Sequence, residues 1–297
     1  MSLRDFGLLV LVCLLWASNN IISKYVVSYL EAPPLFYAAV RFVVVVLVVF
    51  PWLFPMPRPA WRMVLVGLLM GGGNFALLFV GLKTATPSAA AVVSQLGVPI
   101  TTLLSMLMLG ERIRWRRGLG IALTLAGALA VMWDPHGFAL STGLMFVVAA
   151  AFAGSLGAVM MKQMGGVKPL QFQAWVGLSS MLPLILLSVL FEPGQLEAGI
   201  AAGLQFWAAA VYSGLVVSVG AHTLYYGLIQ RYEATLISPL TLMTPLATIF
   251  LGVALLGDPF GPRMVLGTAL ALVGVLIIAL RRNQVMPLLL AFWNRTQ

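Results

Sequence analysis

The chain has 297 residues, of which 61% are hydrophobic and 8% are charged, and its mean hydropathy is +1.03. A water-soluble domain of this length needs far more polar surface, so the composition excludes one. The net charge of +9 does not indicate a nucleic-acid partner, because the basic residues flank long apolar runs. One cysteine and two distant histidines argue against a disulfide framework or a bound metal, and we expect no cofactor.

Apolar runs between prolines, glycines and charged residues predict membrane helices along the whole chain. A helix needs about 20 mostly apolar residues to cross the hydrocarbon region. The first run continues past Asn19 and Asn20, so we expect a membrane helix there and not a cleaved signal peptide. The sequence therefore predicts an all-α membrane protein with ten transmembrane helices. The predicted spans are residues 6–27, 34–54, 62–82, 88–109, 115–133, 141–162, 169–191, 204–228, 234–256 and 263–281.

Lysine and arginine concentrate on one side of the predicted membrane. With the N-terminus in the cytoplasm, 13 of them are cytoplasmic, three are outside and Arg41 lies within a span. Short cytoplasmic loops carry an excess of positive charge, so we expect both termini in the cytoplasm and the chain in a bacterial inner membrane. The apolar stretch within residues 284–297 is too short to span, which leaves an interfacial or a disordered tail as alternatives.

The second half of the chain repeats the first. Residues 81–104 align with residues 227–250 at an offset of 146, which pairs Pro99 with Pro245. A unit of five helices used twice in tandem must insert its second copy upside down, so we predict inverted repeats. The predicted units are residues 1–137, residues 138–283 and a C-terminal tail at residues 284–297.

Two loops at matching places carry the charge that this inversion predicts. Residues 110–117 read GERIRWRR and hold four arginines, whereas residues 257–263 read GDPFGPR and hold one. The first loop lies on the predicted cytoplasmic side and the second lies outside, so the positive-inside bias accounts for the difference. The alternative is a coincidence between two leucine-rich stretches, which the aligned prolines and glycines disfavour. The matched glycines Gly120, Gly127, Gly267 and Gly274 lie in the fifth and tenth spans, where they predict close packing of these two helices.

Three stretches resemble a known family: LLWASNNIISKY at 14–25, PITTLLSMLMLGER at 99–112, and PLATIFLGVALLGD at 245–258. The chain resembles the ten-helix, EamA-like type of the drug/metabolite transporter superfamily, and within it is similar to the YddG-type aromatic amino acid exporters. The resemblance implies export of aromatic and other neutral amino acids through a central cavity. The usual second-copy motif has a tryptophan where this chain has Phe152 or Gly154.

Matched interruptions of two helices predict the place where substrate binds. Inverted-repeat transporters bind substrate near the midplane, at helices that are broken at corresponding positions. Pro99 and Pro245 are such a pair, and each removes the helical partner of the carbonyl four residues earlier, at Gln95 and Thr241. We expect these freed carbonyls to receive an ammonium group, and two merely kinked helices are the alternative.

Further polar and aromatic side chains lie on helix faces that we expect to border the cavity. Asn20 and Gln95 should face an interior, either a wet cavity or a helix–helix hydrogen bond. Lys24 either snorkels or binds a substrate carboxylate. Phe79 and Tyr225, at opposite depths, are candidate gates that close each side in turn. The predicted substrate-binding residues are Trp16, Asn20, Lys24, Phe75, Phe79, Gln95, Pro99, His222, Tyr225, Tyr226, Thr241 and Pro245.

The charged residues inside the spans limit the chemistry. No acidic side chain falls in the middle of a predicted span, so none can pair with Arg41 or exchange protons for a cation. The remaining polar and aromatic residues suit a neutral, partly apolar zwitterion as the substrate. We therefore expect uniport of amino acids by alternating access, in a protein surrounded by membrane lipid. The alternatives are a transporter of a nucleobase or sugar derivative, a channel, and a membrane-embedded enzyme that uses His222. The oligomeric state is not specified by the sequence, and a monomer is the working expectation.

Overall fold

Apolar helices dominate the computed structural model, which describes residues 1–110, 115–134, 139–164, 166–232, 237 and 240–279. In these ranges, eight helices are long and apolar enough to cross a membrane by length and composition. They are α1 (Leu3–Tyr29), α2 (Pro34–Trp52), α3 (Ala60–Leu82), α4 (Pro87–Leu109), α6 (Thr142–Lys162), α7 (Pro169–Phe191), α8 (Gly203–Leu228) and α10 (Pro262–Ala279).

Two further helices lie where the sequence predicts spans. They are α5 (Trp115–Met132), which has 18 residues, and α9 (Met243–Leu256), which has 14. The predicted start of the ninth span, at residue 234, lies outside the described residues, as does the tail at 284–297. The count of ten crossings therefore stays a prediction for α5 and α9.

The all-helical prediction is confirmed apart from one small antiparallel ladder and short non-membrane segments. Strand β1 (Trp133–Asp134) pairs with strand β2 (Ala139–Leu140) between α5 and α6. The Ser141 N–H also donates to the Met132 carbonyl at 3.2 Å, so the two helix ends that this connection joins are held together. A short helix at Gln195–Ala201 lies between α7 and α8.

Irregular turns occur at matching places in the two halves of the chain. The middle of α3 is π-helical at Leu68–Gly73, and the middle of α8 is π-helical at Tyr212–Ala221. Helix α4 consists of two segments, Pro87–Ser94 and Gly97–Leu109. Single-turn π-bulges occur often at functional sites, and the segments here are longer, with six residues in α3 and ten in α8.

Glycines allow α5 and α10 to pack backbone to backbone. A methyl group on Gly127 would lie 2.5 Å from backbone atoms of both Gly267 and Ala271, and one on Gly120 would lie 2.7 Å from the Gly274 carbonyl. Gly120 contacts Gly274 and Gly127 contacts Gly267, so residue numbers increase along α5 as they decrease along α10. The two helices therefore run antiparallel. Small residues permit this close approach in a membrane, as the matched glycines in the sequence predict.

The other helices pack in a reciprocal pattern. Helix α1 packs against α8 and α9, and α6 packs against α3 and α4. Helices α2 and α7 pack against each other, where a methyl group on Gly177 would lie 3.0 Å from Val45. The neighbours of α1 in the second half therefore correspond to the neighbours of α6 in the first half.

Hydrogen bonds between distant helices join the bundle at the end where α1 finishes, which we call the Lys24 end. The Lys24 ammonium donates to the Leu82 carbonyl at 2.9 Å, in the last turn of α3. The Asp258 carboxylate accepts from the Ser88 N–H at 2.9 Å, in the first turn of α4. Both contacts place a full charge beside the helix terminus of opposite partial charge, which is the favourable arrangement.

Further ties occur at both ends of the bundle. Also at the Lys24 end, the Glu192 carboxylate accepts from the N–H groups of Leu35 and Phe36 at 2.8 Å, at the start of α2. At the opposite end, which we call the Asp5 end, the Tyr232 hydroxyl donates to the Asp5 carboxylate at 2.6 Å. This second contact joins the first turn of α1 to Tyr232, which follows the helical turn that extends α8 to Arg231.

Candidate functional site

A cavity of about 720 Å³ lies between α3, α4 and α6 and extends to α8. Its wall combines small hydroxyl and amide side chains with one tyrosine. These polar residues are Asn74, Ser94, Thr101, Thr102, Ser105, Ser155, Tyr225 and Thr241. Such a wall offers hydrogen bonds without a fixed negative charge, which suits a polar but neutral solute.

The large cavity reaches the Asp5 end of the bundle. Arg117, in the first turn of α5, and Ala279, in the last turn of α10, both belong to its lining. Helix α4 starts at the Lys24 end, so α5 must start at the Asp5 end, and α10 runs antiparallel to α5. By contrast, the hydrogen bonds of Lys24 and Asp258 tie helices together at the Lys24 end.

A smaller cavity of about 200 Å³ lies beside the large one. Asn74 and Gly154 line both cavities, so these two residues form the shared wall. The Asn74 amide donates to the Ala150 carbonyl at 2.7 Å, and a methyl group on Gly154 would lie 2.8 Å from the Asn74 amide nitrogen. The other polar and aromatic lining residues are Phe42, Phe75, Phe172, Gln173, Ser218, His222 and Tyr226.

An aromatic cluster connects the two cavities. The Trp16 ring lies 5.3 Å from the His222 ring and 4.9 Å from the Tyr225 ring, measured between centroids. Tyr225 in turn lies 6.0 Å from Tyr226. Since Tyr225 lines the large cavity and His222 and Tyr226 line the small one, Trp16 stands behind both. The structure thus brings together four of the residues that the sequence predicts for the site.

Two polar groups in this cluster differ in their hydrogen bonding. His222 Nδ1 lies 2.9 Å from the Val217 carbonyl, and because a carbonyl only accepts, Nδ1 carries the hydrogen. This bond fixes the ring against the π-helical turn of α8. Trp16 Nε1 is buried and has no hydrogen-bond partner among the described residues. An unsatisfied buried donor is costly, and Trp16 lies behind the lining residues of both cavities without lining either of them.

The prediction that proline frees the carbonyls of Gln95 and Thr241 is wrong. The Gln95 carbonyl accepts from the Val98 N–H at 3.1 Å, and the Thr241 carbonyl accepts from the Thr244 N–H at 2.9 Å. Pro99 and Pro245 therefore stand in the first turn of new helical segments instead of kinking continuous helices. The physical reason is that a tight turn forms i to i+3 hydrogen bonds, which satisfy the carbonyls that proline leaves without an i+4 donor.

Asn20 faces the protein interior, as the sequence predicts, and it contacts another helix. Its amide donates to the Thr248 hydroxyl on α9 at 3.4 Å. Gln95 is half-buried in the turn between the two segments of α4, and Thr241 lines the large cavity. The break between the two segments of α4 and the turn at Thr241 that precedes α9 lie at matching places, and both border the cavity system, although not through free carbonyls.

Lys24 and Phe79 lie away from both cavities. The Lys24 ammonium is occupied by the carbonyls at the end of α3, with Leu82 at 2.9 Å and Lys83 at 3.5 Å. Phe79 is fully buried against Tyr37 and Phe75, with ring centroids at 5.0 and 5.9 Å. Phe75, the next residue on that helix face, does line the small cavity.

Several lining residues escaped the sequence reasoning. Ser94, Thr101 and Ser105 on α4 line the large cavity, and Ser155 on α6 faces them and donates to the Gly97 carbonyl at 2.9 Å. Thr101 and Ser105, four residues apart, lie on one face of the second segment of α4, and Ser94 is the last residue of the first segment. That hydroxyl ladder is the signal that the sequence offered.

The family of this chain follows from two matches along its sequence. The EamA-like transporter family matches residues 6–133 and again residues 141–280. The chain belongs to the EamA-like transporter family. The resemblance to the drug/metabolite transporter superfamily is therefore confirmed, and this EamA-like protein is a multi-pass membrane protein whose family consists of transporters.

Named relatives of this EamA-like protein are transporters too. A probable amino-acid metabolite efflux pump of Salmonella typhimurium is 29% identical, over 93% of this chain and 95% of the relative. A protein of the same name from Escherichia coli is 26% identical with the same coverage. An S-adenosylmethionine/S-adenosylhomocysteine transporter of Chlamydia trachomatis is 24% identical, over 89% of this chain and 85% of the relative.

A solved crystal structure shares the fold. It superimposes with a TM-score of 0.63 at 21% sequence identity, and it covers 93% of this chain and 96% of the other. At this identity the similarity shows a shared arrangement of helices and does not indicate a substrate.

Proposed function

We propose that this EamA-like protein exports aromatic and other neutral amino acids across the bacterial inner membrane by alternating access. The observation that carries the proposal is the asymmetry of the large cavity. Its lining extends to Arg117 at the Asp5 end, whereas Lys24 and Asp258 tie helices together at the Lys24 end. With the Asp5 end in the cytoplasm, as the distribution of arginine and lysine predicts, this is a state that takes up substrate from inside.

The cavity walls favour a zwitterion with an apolar or aromatic side group. Hydroxyls and amides in the large cavity can bind the amino acid backbone, and the rings of Phe75, His222 and Tyr226 in the small cavity can bind the side group. The two named efflux pumps of enteric bacteria support amino acids as the cargo. No coupling site needs to be invoked, and uniport is the simplest mechanism.

Alternating access rests on the inverted repeat, which we retain as part of the proposal. The reciprocal packing of α1 and α6, the matched π-helical turns, and the break of α4 with the matching turn before α9 support it. Phe79 and Tyr225 are the proposed gates. Phe79 is sealed towards the Lys24 end and Tyr225 borders the open cavity, which is the asymmetry expected of two gates in opposite states.

Counterflow in proteoliposomes tests the substrate. Vesicles loaded with an unlabelled amino acid mixture should accumulate labelled phenylalanine and, more slowly, labelled threonine, whereas vesicles loaded with unlabelled uracil should not accumulate labelled uracil. Accumulation of uracil without phenylalanine would reject amino acid export and favour a same-fold transporter of another metabolite. The Chlamydia relative makes S-adenosylmethionine a useful further arm, since it names a different cargo within the same fold.

A gate variant tests the mechanism. Phe79→Ala should raise passive leak of phenylalanine severalfold, because it removes a fully buried ring that seals the Lys24 end. Phe250→Ala is the matched control, since Phe250 is 70% exposed on the outside of α9. Equal leak in wild type, Phe79→Ala and Phe250→Ala would remove Phe79 from the gate.

A further inference from the structure

Arg41 is fully buried in α2, and in the described part of the chain its charge has no partner of opposite sign. Its Nε donates to the Ser218 hydroxyl at 2.9 Å, while Nη1 and Nη2 have no hydrogen-bond partner among the described residues. The guanidinium carbon lies 3.8 Å from the centre of the Phe75 ring. Rings satisfy a cation only in part, and a buried charge left in this state carries a large cost.

This charge stands directly behind the small cavity. Ser218 and Phe75, which contact Arg41, both line that cavity, as does Phe42, whose ring centre lies 5.8 Å from the guanidinium carbon. The cation is therefore separated from a solute in the cavity by a single layer of side chains. An arginine keeps its charge under all physiological conditions, so the positive potential is permanent.

The rest of the cavity system has the same sign of charge. Arg117 lines the mouth of the large cavity. No carboxylate lines either cavity in the described part of the chain. Low-dielectric walls strengthen the field of an unpaired charge, so a solute inside experiences a positive potential with no compensating source.

We propose that Arg41 is the charge-selecting residue of the cavity, which admits solutes that bear a carboxylate and rejects cations such as amines. The inference deepens the proposed function, because it rests on this cavity being the transport site. It assigns a role to a residue that acts through Ser218 and Phe75 and does not need to touch the substrate. It also explains why a helix in the middle of a membrane protein retains a costly guanidinium without a carboxylate partner.

Two isosteric ligands test the proposal: 3-phenylpropionate, an anion, and phenethylamine, a cation with the same ring and a similar chain. Purified wild-type protein should be stabilised against heat by the anion at concentrations at least about ten-fold lower than by the cation, because the buried guanidinium attracts a carboxylate and repels an ammonium group. The same ranking should appear when each compound competes with phenylalanine in counterflow. If the cation binds as well as the anion, or if neither binds, the proposal is overturned.

Variants separate a selective role from a structural one. Arg41→Gln should abolish the ten-fold preference, and Arg41→Lys, which keeps the charge, should retain most of it. Arg58→Gln is the control, because Arg58 is exposed in the loop after α2 and is not part of the lining of either cavity, and it should leave the preference unchanged. A preference that persists in folded Arg41→Gln overturns the proposal, and the wild-type ranking remains a test should that variant fail to fold.

The outcomes distinguish this inference from the proposed function. Suppose that the protein prefers the carboxylate, that Arg41→Gln abolishes this preference, and that the protein does not transport phenylalanine. This result would support the role of Arg41 and reject amino acid export. Phenylalanine export without any preference for the anion would support amino acid export and reject the role of Arg41.

Discussion

At the scale of single residues, Trp16 shows how an unmet hydrogen bond marks a site. Its indole packs against His222 and Tyr225 while Nε1 lacks a partner among the described residues. Any large ring could fill this position, so packing explains the ring of Trp16 but does not explain its N–H. A substrate carboxylate or carbonyl is the acceptor that we expect to meet it during transport.

Trp16→Phe tests this role, since it keeps a ring and removes the N–H. We expect the apparent KM for phenylalanine in counterflow to rise about three- to ten-fold, because one hydrogen bond contributes about 0.5–1.5 kcal/mol. Trp61→Phe serves as the control, since Trp61 is 61% exposed and should show no change. An unaltered KM in folded Trp16→Phe would exclude the indole N–H from binding.

Residue chemistry also shows why some sequence predictions could not be completed. The sequence places Asn20 in the interior, because a lipid-facing amide is costly, and the contact with Thr248 agrees. It does not reveal that Lys24 meets the end of α3, because Leu82 is 58 positions away. Arg41 is visible as a buried charge in the sequence, yet its cage of rings and Ser218 comes from three different helices.

At the scale of helices, the glycine seam between α5 and α10 is the firmest contact that the sequence predicts. Gly127→Leu should lower the stability of the purified protein by about 1–3 kcal/mol, since its side chain would collide with the backbone of Gly267 and Ala271. Thermal unfolding in detergent measures the loss. Gly118→Leu on the same helix is the control, because a methyl group there meets nothing within 4 Å. Equal stability of the two variants would contradict the tight seam.

The broken helices show both the reach and the limit of local reasoning. Proline patterns correctly predict the interruption of α4, and a turn precedes α9 at the matching place, because proline lacks an N–H wherever it stands. The same reasoning wrongly predicts free carbonyls at Gln95 and Thr241, because a chain can tighten its turn and satisfy them. Element boundaries are local features, whereas the use of backbone groups depends on how the turn relaxes.

At the scale of the whole molecule, the ties at the Lys24 end should control which side of the bundle is open. Asp258 accepts from Ser88 at the N-terminus of α4, where a negative charge is favourable. Asp258→Asn retains an oxygen and removes the charge. We therefore expect the Lys24 end to open about ten-fold more often, since charged hydrogen bonds contribute about 1.5–3 kcal/mol.

Thiol labelling measures this opening. In a Cys13→Ser background, Ala90→Cys places a buried reporter on α4, and an impermeant thiol reagent added to intact cells should label it about ten-fold faster when Asp258 is replaced by Asn. Glu197→Gln is the control, because Glu197 is exposed at the same end. A labelling rate that is equal in all variants would show that Asp258 does not hold the Lys24 end closed.

The sequence by itself determined the helices, the membrane class and the family, because apolar runs, prolines and glycines act on their own neighbours along the chain. It also predicted the pairing of α5 with α10, since small residues at matched spacing have few other uses. Only the tertiary structure decided where the cavities lie, which hydroxyls line them, and that Arg41 stands behind Ser218 and Phe75. Those features depend on residues far apart in the chain, whose contacts are set by the packing of several helices at once.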